Sequence, residues 1–321
     1  MRRLTSLLGR RTALLIACAI LLTFGLLEGE LFLGARNLEN ITRQVSLDAP
    51  IVFGQLVVLV AGGIDISVGS TMAMSAALAI GLQPYGTGVA ILGALLFGLG
   101  VGVVNGLLVT RGKIVPFVAT LGTMSVVRGL LLTYTGQQPM SGSDPSFAFL
   151  GGGNIGPVPT PLVITLALLF VLSVFLERTR RGRDLYAIGG SPEAAFLAGV
   201  AVGRGLMIAF MISGLMAAIS GVLVASRINS ASVQLGADTP LLAISAALIG
   251  GASLLGGKGS VVASFIGVLA LGMLANGMNL LGVPTYNQIA IRALILVAVV
   301  TLDALATRIE RRGLTMSRIA N

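Results

Sequence analysis

The stretch LVAGGIDISVGST, residues 59–71, places a carboxylate and two serines inside an apolar part of the chain. The paired glycines Gly62 and Gly63 favour the end of a helix, and Ser67 stands where the next apolar run begins. Oxygen atoms of Asp65 and Ser67 can cap exposed backbone amides at a helix start, where the helix dipole also favours negative charge. The stretch therefore predicts a helix that breaks and restarts.

The composition around this stretch is that of a membrane protein. Hydrophobic residues make up 55% of the 321 positions and charged residues only 10%, against about 25% in soluble domains. Several apolar runs reach the roughly 20 residues needed to cross a bilayer. We predict an all-α polytopic membrane protein with about ten transmembrane helices, some of them broken. The predicted spans are residues 13–27, 49–64, 67–82, 89–109, 116–135, 159–176, 205–226, 240–255, 261–280 and 287–306.

Basic residues lie at the ends of these runs. With ten spans and a cytoplasmic N-terminus, sixteen of them fall on the cytoplasmic side and only Arg36, Arg43 and Arg227 on the other. This bias follows the positive-inside rule and places both termini in the cytoplasm. It also accounts for the net charge of +9 without a nucleic-acid partner. The sixteen are Arg2, Arg3, Arg10, Arg11, Arg111, Lys113, Arg178, Arg180, Arg181, Arg183, Arg204, Lys258, Arg308, Arg311, Arg312 and Arg318.

The residues that most enzymes need are scarce. The chain has no histidine and one cysteine, Cys18, so an internal disulfide is excluded and a zinc site is nearly so. We interpret Cys18 as a small core residue. A Ser-Lys or aspartyl intramembrane protease needs no histidine, but Asp65 lacks a second intramembrane aspartate, and Lys258 is the only lysine near a serine-rich segment. No catalytic or metal-binding residue is predicted.

Small residues repeat at four-residue spacing in two of the spans. Such faces let helix backbones approach closely in lipid, and we interpret both as packing surfaces. They are Gly98, Gly102 and Gly106 in one span, and Ala217, Gly221 and Ala225 in the other.

A second break is predicted late in the chain. The stretch LLGGKGSVVAS, residues 254–264, again combines paired glycines, a charge and a serine that opens an apolar run. Asn-Gly pairs also recur, which indicates a weak internal repeat of the kind found in transport folds, where broken helices line the pathway. For each candidate lining residue the alternative interpretation is a hydrogen bond between helices. For Asp65 a further alternative is a role as a helix cap and nothing more. The candidates are Asp65, Ser67, Ser70, Asn105 and Asn276.

The loop at residues 177–204 contains a short predicted helix. Ser191 is a natural N-cap, Pro192 suits the first helical position, and Glu193 complements the helix dipole. The helix has barely two turns before Gly199. Two interpretations remain open for it: a docking element for a partner, or a helix on the membrane surface whose neighbouring arginines meet anionic lipid.

Four stretches, in this order, resemble the ribose-type permease family of bacterial ATP-binding-cassette importers, and the resemblance spans residues 44–303. They are GGIDISVGS (62–70), VNGLLVTRGKIVPFVATLGTMSVVRGLLL (104–132), GRDLYAIGGSPEAAFLAGV (182–200) and IGGASLLGGKGSVVASFIGVLALGMLANGMNLLGV (249–283). The resemblance implies one transmembrane permease domain, residues 1–321, in the bacterial inner membrane. It also implies that the loop 177–204 is cytoplasmic and couples the permease to an ATPase. The residues implied in coupling are Gly189, Gly190, Ser191, Glu193, Ala194, Ala195 and Gly199.

The resemblance further implies the partners. They are a second permease subunit, identical or different, a cytoplasmic ATPase that binds the ATP, and a periplasmic sugar-binding protein; this chain itself needs no cofactor. The run Asp238-Thr239-Pro240 departs from the family pattern, so the cargo stays open among ribose and other small sugars. The alternative function is a secondary transporter, which would place several ionisable residues deep in its spans. Only Asp65, Arg128 and Arg292 are candidates for that role, with Asp303 near a helix end.

Overall fold

The computed structural model of the protein describes residues 2–298, 300 and 301, and it is a bundle of helices. The predicted basic residues Arg308, Arg311, Arg312 and Arg318 lie outside the described residues. The helices are α1 Arg2–Leu27, α2 Gly29–Leu33, α3 Ala35–Val60, α4 Val68–Gly81, α5 Thr87–Thr110, α6 Pro116–Thr135, α7 Phe149–Gly152, α8 Thr160–Arg178, α9 Arg180–Gly190, α10 Pro192–Leu197, α11 Val202–Ile228, α12 Thr239–Ile249, α13 Val261–Leu280 and α14 Thr285–Ala298, with a 3-10 turn at Gln83–Tyr85.

Ten apolar helices of the described residues account for the predicted spans. Six of them, α3, α5, α6, α8, α11 and α13, are long and apolar enough to cross a membrane. Four are shorter: α4, α12, α14 and the part of α1 from Ala13 to Leu27. The all-α polytopic class with broken helices is confirmed.

Helix α3 differs from its prediction. It begins at Ala35 rather than at residue 49, because the polar residues before the apolar run lie on the same continuous helix. Arg43 holds this polar half in place by donating to the carbonyl oxygen of Gly152 at 2.9 Å and to the Asn154 side chain at 2.6 Å. Tertiary contacts therefore support a helix start that hydropathy alone places too late.

The other corrections concern α12 and Cys18. Helix α12 ends at Ile249 instead of residue 255, because Gly251, Gly256 and Gly257 all adopt positive φ angles that a helix cannot continue through. Cys18 was predicted to be a core residue, and this prediction is wrong: the side chain is exposed on α1. Within the part of the chain that the structure describes, the side of α1 that carries Cys18 is uncovered.

The core is built around α3 and α11. Most of the second half of α3 is fully buried, and α11 packs against α3, α4 and α5. The predicted packing faces make these contacts: a methyl group at Gly102 would lie 2.8 Å from the Cα atom of Met211, and one at Gly221 would overlap the carbonyl oxygen of Met72. Close backbone approach is therefore what the small residues provide.

The two ends of the bundle differ in charge. One end, here called the basic end, carries α9, α10 and the loops after α5 and α12, with Arg111, Lys113, Arg178, Arg180, Arg181, Arg183, Arg204 and Lys258. The far end carries the 3-10 turn and two short antiparallel pairs. These pairs are β1 (Met140–Ser141) with β4 (Ser230–Ala231), and β2 (Asn154–Ile155) with β3 (Val158–Pro159).

Candidate functional site

The break between α3 and α4 is held by a buried polar network around Asp65. Its Oδ1 atom accepts from the backbone N–H of Ser67 at 2.9 Å and from the Ser67 hydroxyl at 2.6 Å. Its Oδ2 atom accepts from the hydroxyl of Ser213 on α11 at 2.8 Å. Asn105 of α5 donates to the Ser67 hydroxyl at 2.8 Å. The carboxylate thus caps the backbone just before α4 and ties the break to two other helices.

The five predicted pathway residues are not all brought together. Asp65, Ser67 and Asn105 share this network and are buried. Ser70 lies nearby on α4 and lines a groove of about 470 Å³ together with Arg128 of α6. Asn276 lies elsewhere, on α13, where its side-chain amide exchanges two hydrogen bonds of 2.9 Å with that of Asn37. A pathway role for these residues stays a prediction.

The two helix breaks meet at four glycines, here called the glycine junction: Gly62, Gly189, Gly256 and Gly257. A methyl group at Gly256 would lie 2.6 Å from the carbonyl oxygen of Gly189 and 2.9 Å from the Cα atom of Gly62. The Gly257 N–H donates to the carbonyl oxygen of Val60, the last residue of α3, at 3.0 Å. The end of α9 therefore contacts both breaks directly.

Helix α10 follows this junction and has the capping that the sequence predicts. The Ser191 hydroxyl accepts from the Ala194 N–H at 3.2 Å, and Pro192 occupies the first turn. Gly199, with a φ of +78°, ends the helix. Between these ends Phe196 is 70% exposed and Leu197 85% exposed. Two large apolar side chains are thus presented to the surroundings at the basic end.

A polar cavity of about 570 Å³ lies at the far end, between α3, α11, α12, α13 and α14. Its volume is within the usual range of small-molecule sites. The Arg227 guanidinium donates to Gln44 Oε1 at 3.2 Å, and Gln44 Nε2 donates to Asp48 Oδ2 at 2.9 Å. The charged and amide residues of its wall are Asn40, Gln44, Asp48, Arg227, Asp238, Asn276, Asn279 and Arg292.

The charges of this cavity balance. Asp48 and Asp238 oppose Arg227 and Arg292, and within the described residues none of the four forms a direct ion pair. Their donors and acceptors therefore retain capacity for a ligand. The balanced set suits a ligand without net charge, since a charged one would leave an uncompensated group in a partly desolvated site.

Of the residues in this wall, the sequence analysis considered only Asn276 and Arg292 as candidates for a role in transport. Asp48 and Gln44 were missed because they lie before the predicted start of the second span. Their four-residue spacing was the signal that could have found them, since it places two polar side chains on one face of a helix.

The comparison with known sequences decides the family. A family described as "Branched-chain amino acid transport system / permease component" matches residues 37–300. The chain belongs to this permease family. The match begins near the start of α3 and runs through α14, so it includes the cavity, both breaks and α10.

Curated relatives of the permease cover most of its length. The ribose import permease protein RbsC of Bacillus subtilis (strain 168) is 40% identical over 85% of this chain and 86% of its own. A probable ABC transporter permease protein, y4mJ of Sinorhizobium fredii (strain NBRC 101917 / NGR234), is 37% identical over 94% and 92%. The L-arabinose transport system permease protein AraH of Escherichia coli (strain K12) is 36% identical over 93% and 89%. No solved structure matches the permease.

Proposed function

We propose that this permease is the membrane subunit of an ATP-binding-cassette importer that carries a monosaccharide into the cell. The observation that carries the proposal is the charge-balanced polar cavity at one end of the bundle, with the exposed α10 at the other. Relatives named for ribose and L-arabinose support a sugar as cargo. Carboxylate, guanidinium and amide groups together offer the mixed acceptors and donors that sugar hydroxyls require.

The cytoplasmic partner is proposed to be an ATPase that docks on α10. Coupling residues are Gly189, Gly190, Ser191, Glu193, Ala194, Ala195 and Gly199, within the loop 177–204 of a single permease domain. Ala195 is buried and anchors α10, while Phe196 and Leu197 are free to enter a groove on the partner. ATP is bound and hydrolysed on that partner, and this chain contributes no catalytic residue.

The orientation follows from the charges. We place the basic end and both termini in the cytoplasm, because basic residues are retained on that side of bacterial inner membranes. The far end then faces the periplasm, where a sugar-binding protein delivers the cargo to the cavity. A second permease subunit completes the assembly, and the apolar outer faces of α5, α6 and α8 are available to it and to lipid.

The cargo is tested by uptake into vesicles that contain the permease with its ATPase and binding protein. We expect uptake of a pentose or hexose that requires ATP and survives a protonophore, whereas a secondary transporter would lose its uptake with the ion gradient. Leucine and valine are included as competitors, since a zwitterion would also satisfy paired aspartates and arginines. Competition by these amino acids without sugar uptake would contradict the proposed cargo.

The Asp48→Asn variant tests the cavity. Removing the negative charge weakens hydrogen bonds to a charged acceptor, which are worth about 1.5–3 kcal/mol each. We expect a KM for uptake that is raised roughly tenfold, at normal protein abundance. Glu39→Gln is the matched control, because Glu39 lies on the same helix, outside the cavity wall, and pairs with Arg43. An unchanged KM in Asp48→Asn would contradict a role of this cavity in binding.

The Leu197→Asp variant tests coupling and orientation together. Leu197 contributes almost nothing to packing within the permease, so the variant should fold and reach the membrane. A charge in an apolar docking contact commonly costs 2 kcal/mol or more, or roughly 30-fold in affinity. We expect loss of uptake and of transport-stimulated ATP hydrolysis, with Leu197→Met as the control that keeps both. Wild-type uptake by Leu197→Asp would show that α10 does not meet the ATPase.

A further inference from the structure

A second cavity, here called the basic cavity, lies at the basic end between α9 and the start of α11. Its volume is about 390 Å³, which is within the usual range of small-molecule sites. Its wall carries Arg180 and Arg181 of α9, Arg204 of α11 and a single acidic residue, Asp184. Three arginines against one aspartate leave an excess of two positive charges, so the basic cavity suits an anion.

The three arginines of the basic cavity are exposed, and within the part of the chain that the structure describes none of them donates a hydrogen bond or forms an ion pair. Arg43 and Arg128, in contrast, donate to backbone carbonyl oxygens. Guanidinium groups match the oxygens of a phosphate well, because each can donate two parallel hydrogen bonds. The basic cavity thus offers a set of uncommitted donors for a phosphate group.

Helix α11 gives the depth of the basic cavity in the membrane. It has 27 residues, Val202–Ile228, and is therefore about 40 Å long, which is close to the thickness of a bilayer with both headgroup layers. The first turn of α11, which contains Arg204, then lies among the headgroups. Ile208 lines the same cavity and lies about 9 Å further along the helix, at the edge of the hydrocarbon.

The wall of the basic cavity changes from charged to apolar with this depth. Leu185 lines it as well, and its Cδ2 atom would lie 3.6 Å from a methyl group at Gly205, one turn into α11. A phospholipid has the same order, with its phosphate outside and its acyl chains inside. A free phosphate, or an acidic side chain of a docked ATPase, would use the arginines and leave the apolar wall without a partner.

We infer that the basic cavity binds an anionic phospholipid, whose phosphate accepts hydrogen bonds from Arg180, Arg181 and Arg204 while its glycerol and acyl chains lie toward Leu185 and Ile208. The lipid would connect α9 to α11, the two helices that flank α10. The inference goes beyond the proposed function and does not depend on the cargo or on the energy source of transport.

The double variant Arg181→Gln with Arg204→Gln tests the inference. Native mass spectrometry of the assembly with its ATPase, titrated with phosphatidylglycerol, measures the bound lipid. We expect about 30-fold weaker binding, since each arginine near the membrane surface contributes roughly a factor of five. The rise in melting temperature that the lipid causes in the wild type should disappear with it. Arg111→Gln with Lys113→Gln is the matched control, because it removes the same charge from the same end, outside the wall of the basic cavity.

Asp184→Asn provides a test of opposite sign that a folding defect cannot imitate. It removes the only acidic group of the wall, so we expect phosphatidylglycerol to bind roughly fivefold more tightly. Wild-type protein should prefer this lipid to zwitterionic phosphatidylcholine, and inorganic phosphate at the same concentration should not displace it.

Three results would overturn the inference. Equal lipid binding by the Arg181/Arg204 variant and by its control would show that the lipid lies elsewhere. Displacement by an equal concentration of inorganic phosphate would make this a site for a free anion. Binding to the permease alone that is lost when the ATPase is added would assign the basic cavity to the protein contact. Absence of sugar uptake with lipid binding intact would bear on the proposed function alone.

Discussion

The Asp65→Leu permease is expected to lose both stability and uptake, while Asp65→Asn keeps most of both. Leucine would leave the Ser67 N–H and the Ser67 and Ser213 hydroxyls without the acceptor that each now uses. Each buried polar group left unpaired costs about 1–3 kcal/mol. Asparagine retains one oxygen for Ser67 and can donate to Ser213, and it caps about as well as aspartate. Melting temperature, abundance and sugar uptake of both variants measure the difference.

Ser213→Ala is the graded control for this pair. It removes one hydrogen bond of the network and leaves the cap on Ser67 intact, so its effect should lie between wild type and Asp65→Leu. A stable Asp65→Asn protein without uptake would show that the charge itself takes part in transport. That result would replace the cap as the main role of Asp65.

Gly189→Ala should destabilise the permease and abolish transport, whereas Gly190→Ala should leave its stability unchanged. A methyl group at Gly189 would overlap the carbonyl oxygen of Val60 and lie 2.5 Å from the backbone nitrogen of Gly257. The contact is with backbone on both sides, so the glycine junction must open and the hydrogen bond between Gly257 and Val60 must lengthen. Gly190 has no atom within 4 Å of the corresponding position. The two neighbours therefore form a matched pair.

Uptake and transport-stimulated ATP hydrolysis are the measurements for this pair, with melting temperature recorded in parallel. We expect Gly189→Ala to show a lower melting temperature and no uptake, and Gly190→Ala to match the wild type in melting temperature. A wild-type melting temperature and wild-type uptake in Gly189→Ala would mean that close contact at the glycine junction is not needed for coupling.

The break at Asp65 and the capped helix α10 could be predicted from the sequence because both depend on neighbouring residues. Asp65 bonds to Ser67 two residues away, and Ser191 caps an amide three residues away. The bond from Ser213 to Asp65 joins residues 148 positions apart and depends on how α11 packs. No local pattern contains that information, so the bond between Asp65 and Ser67 could be predicted from the sequence and the bond from Ser213 could not.

The cavity shows which residues a prediction from hydropathy misses. Hydropathy identified the apolar part of α3 and excluded its polar first half, although polar residues on one helical face are what a lined cavity requires. Asp48 and Gln44 become a site only when Arg227 of α11 and Arg292 of α14 are placed opposite them. Charges that look like loop residues along the chain are thus explained by a tertiary arrangement that brings three helices together.

The contact between α5 and α11 has a mechanical consequence. A methyl group at Gly98 would overlap the carbonyl oxygen of Gly214, and one at Gly214 would overlap that of Gly98, so the two backbones interlock. Interlocked backbones cannot slide past each other without first separating. We therefore expect helices α5 and α11 to move as one rigid unit, whose α11 end lies next to α10. The movements that alternately expose the cargo are then expected between this unit and other helices.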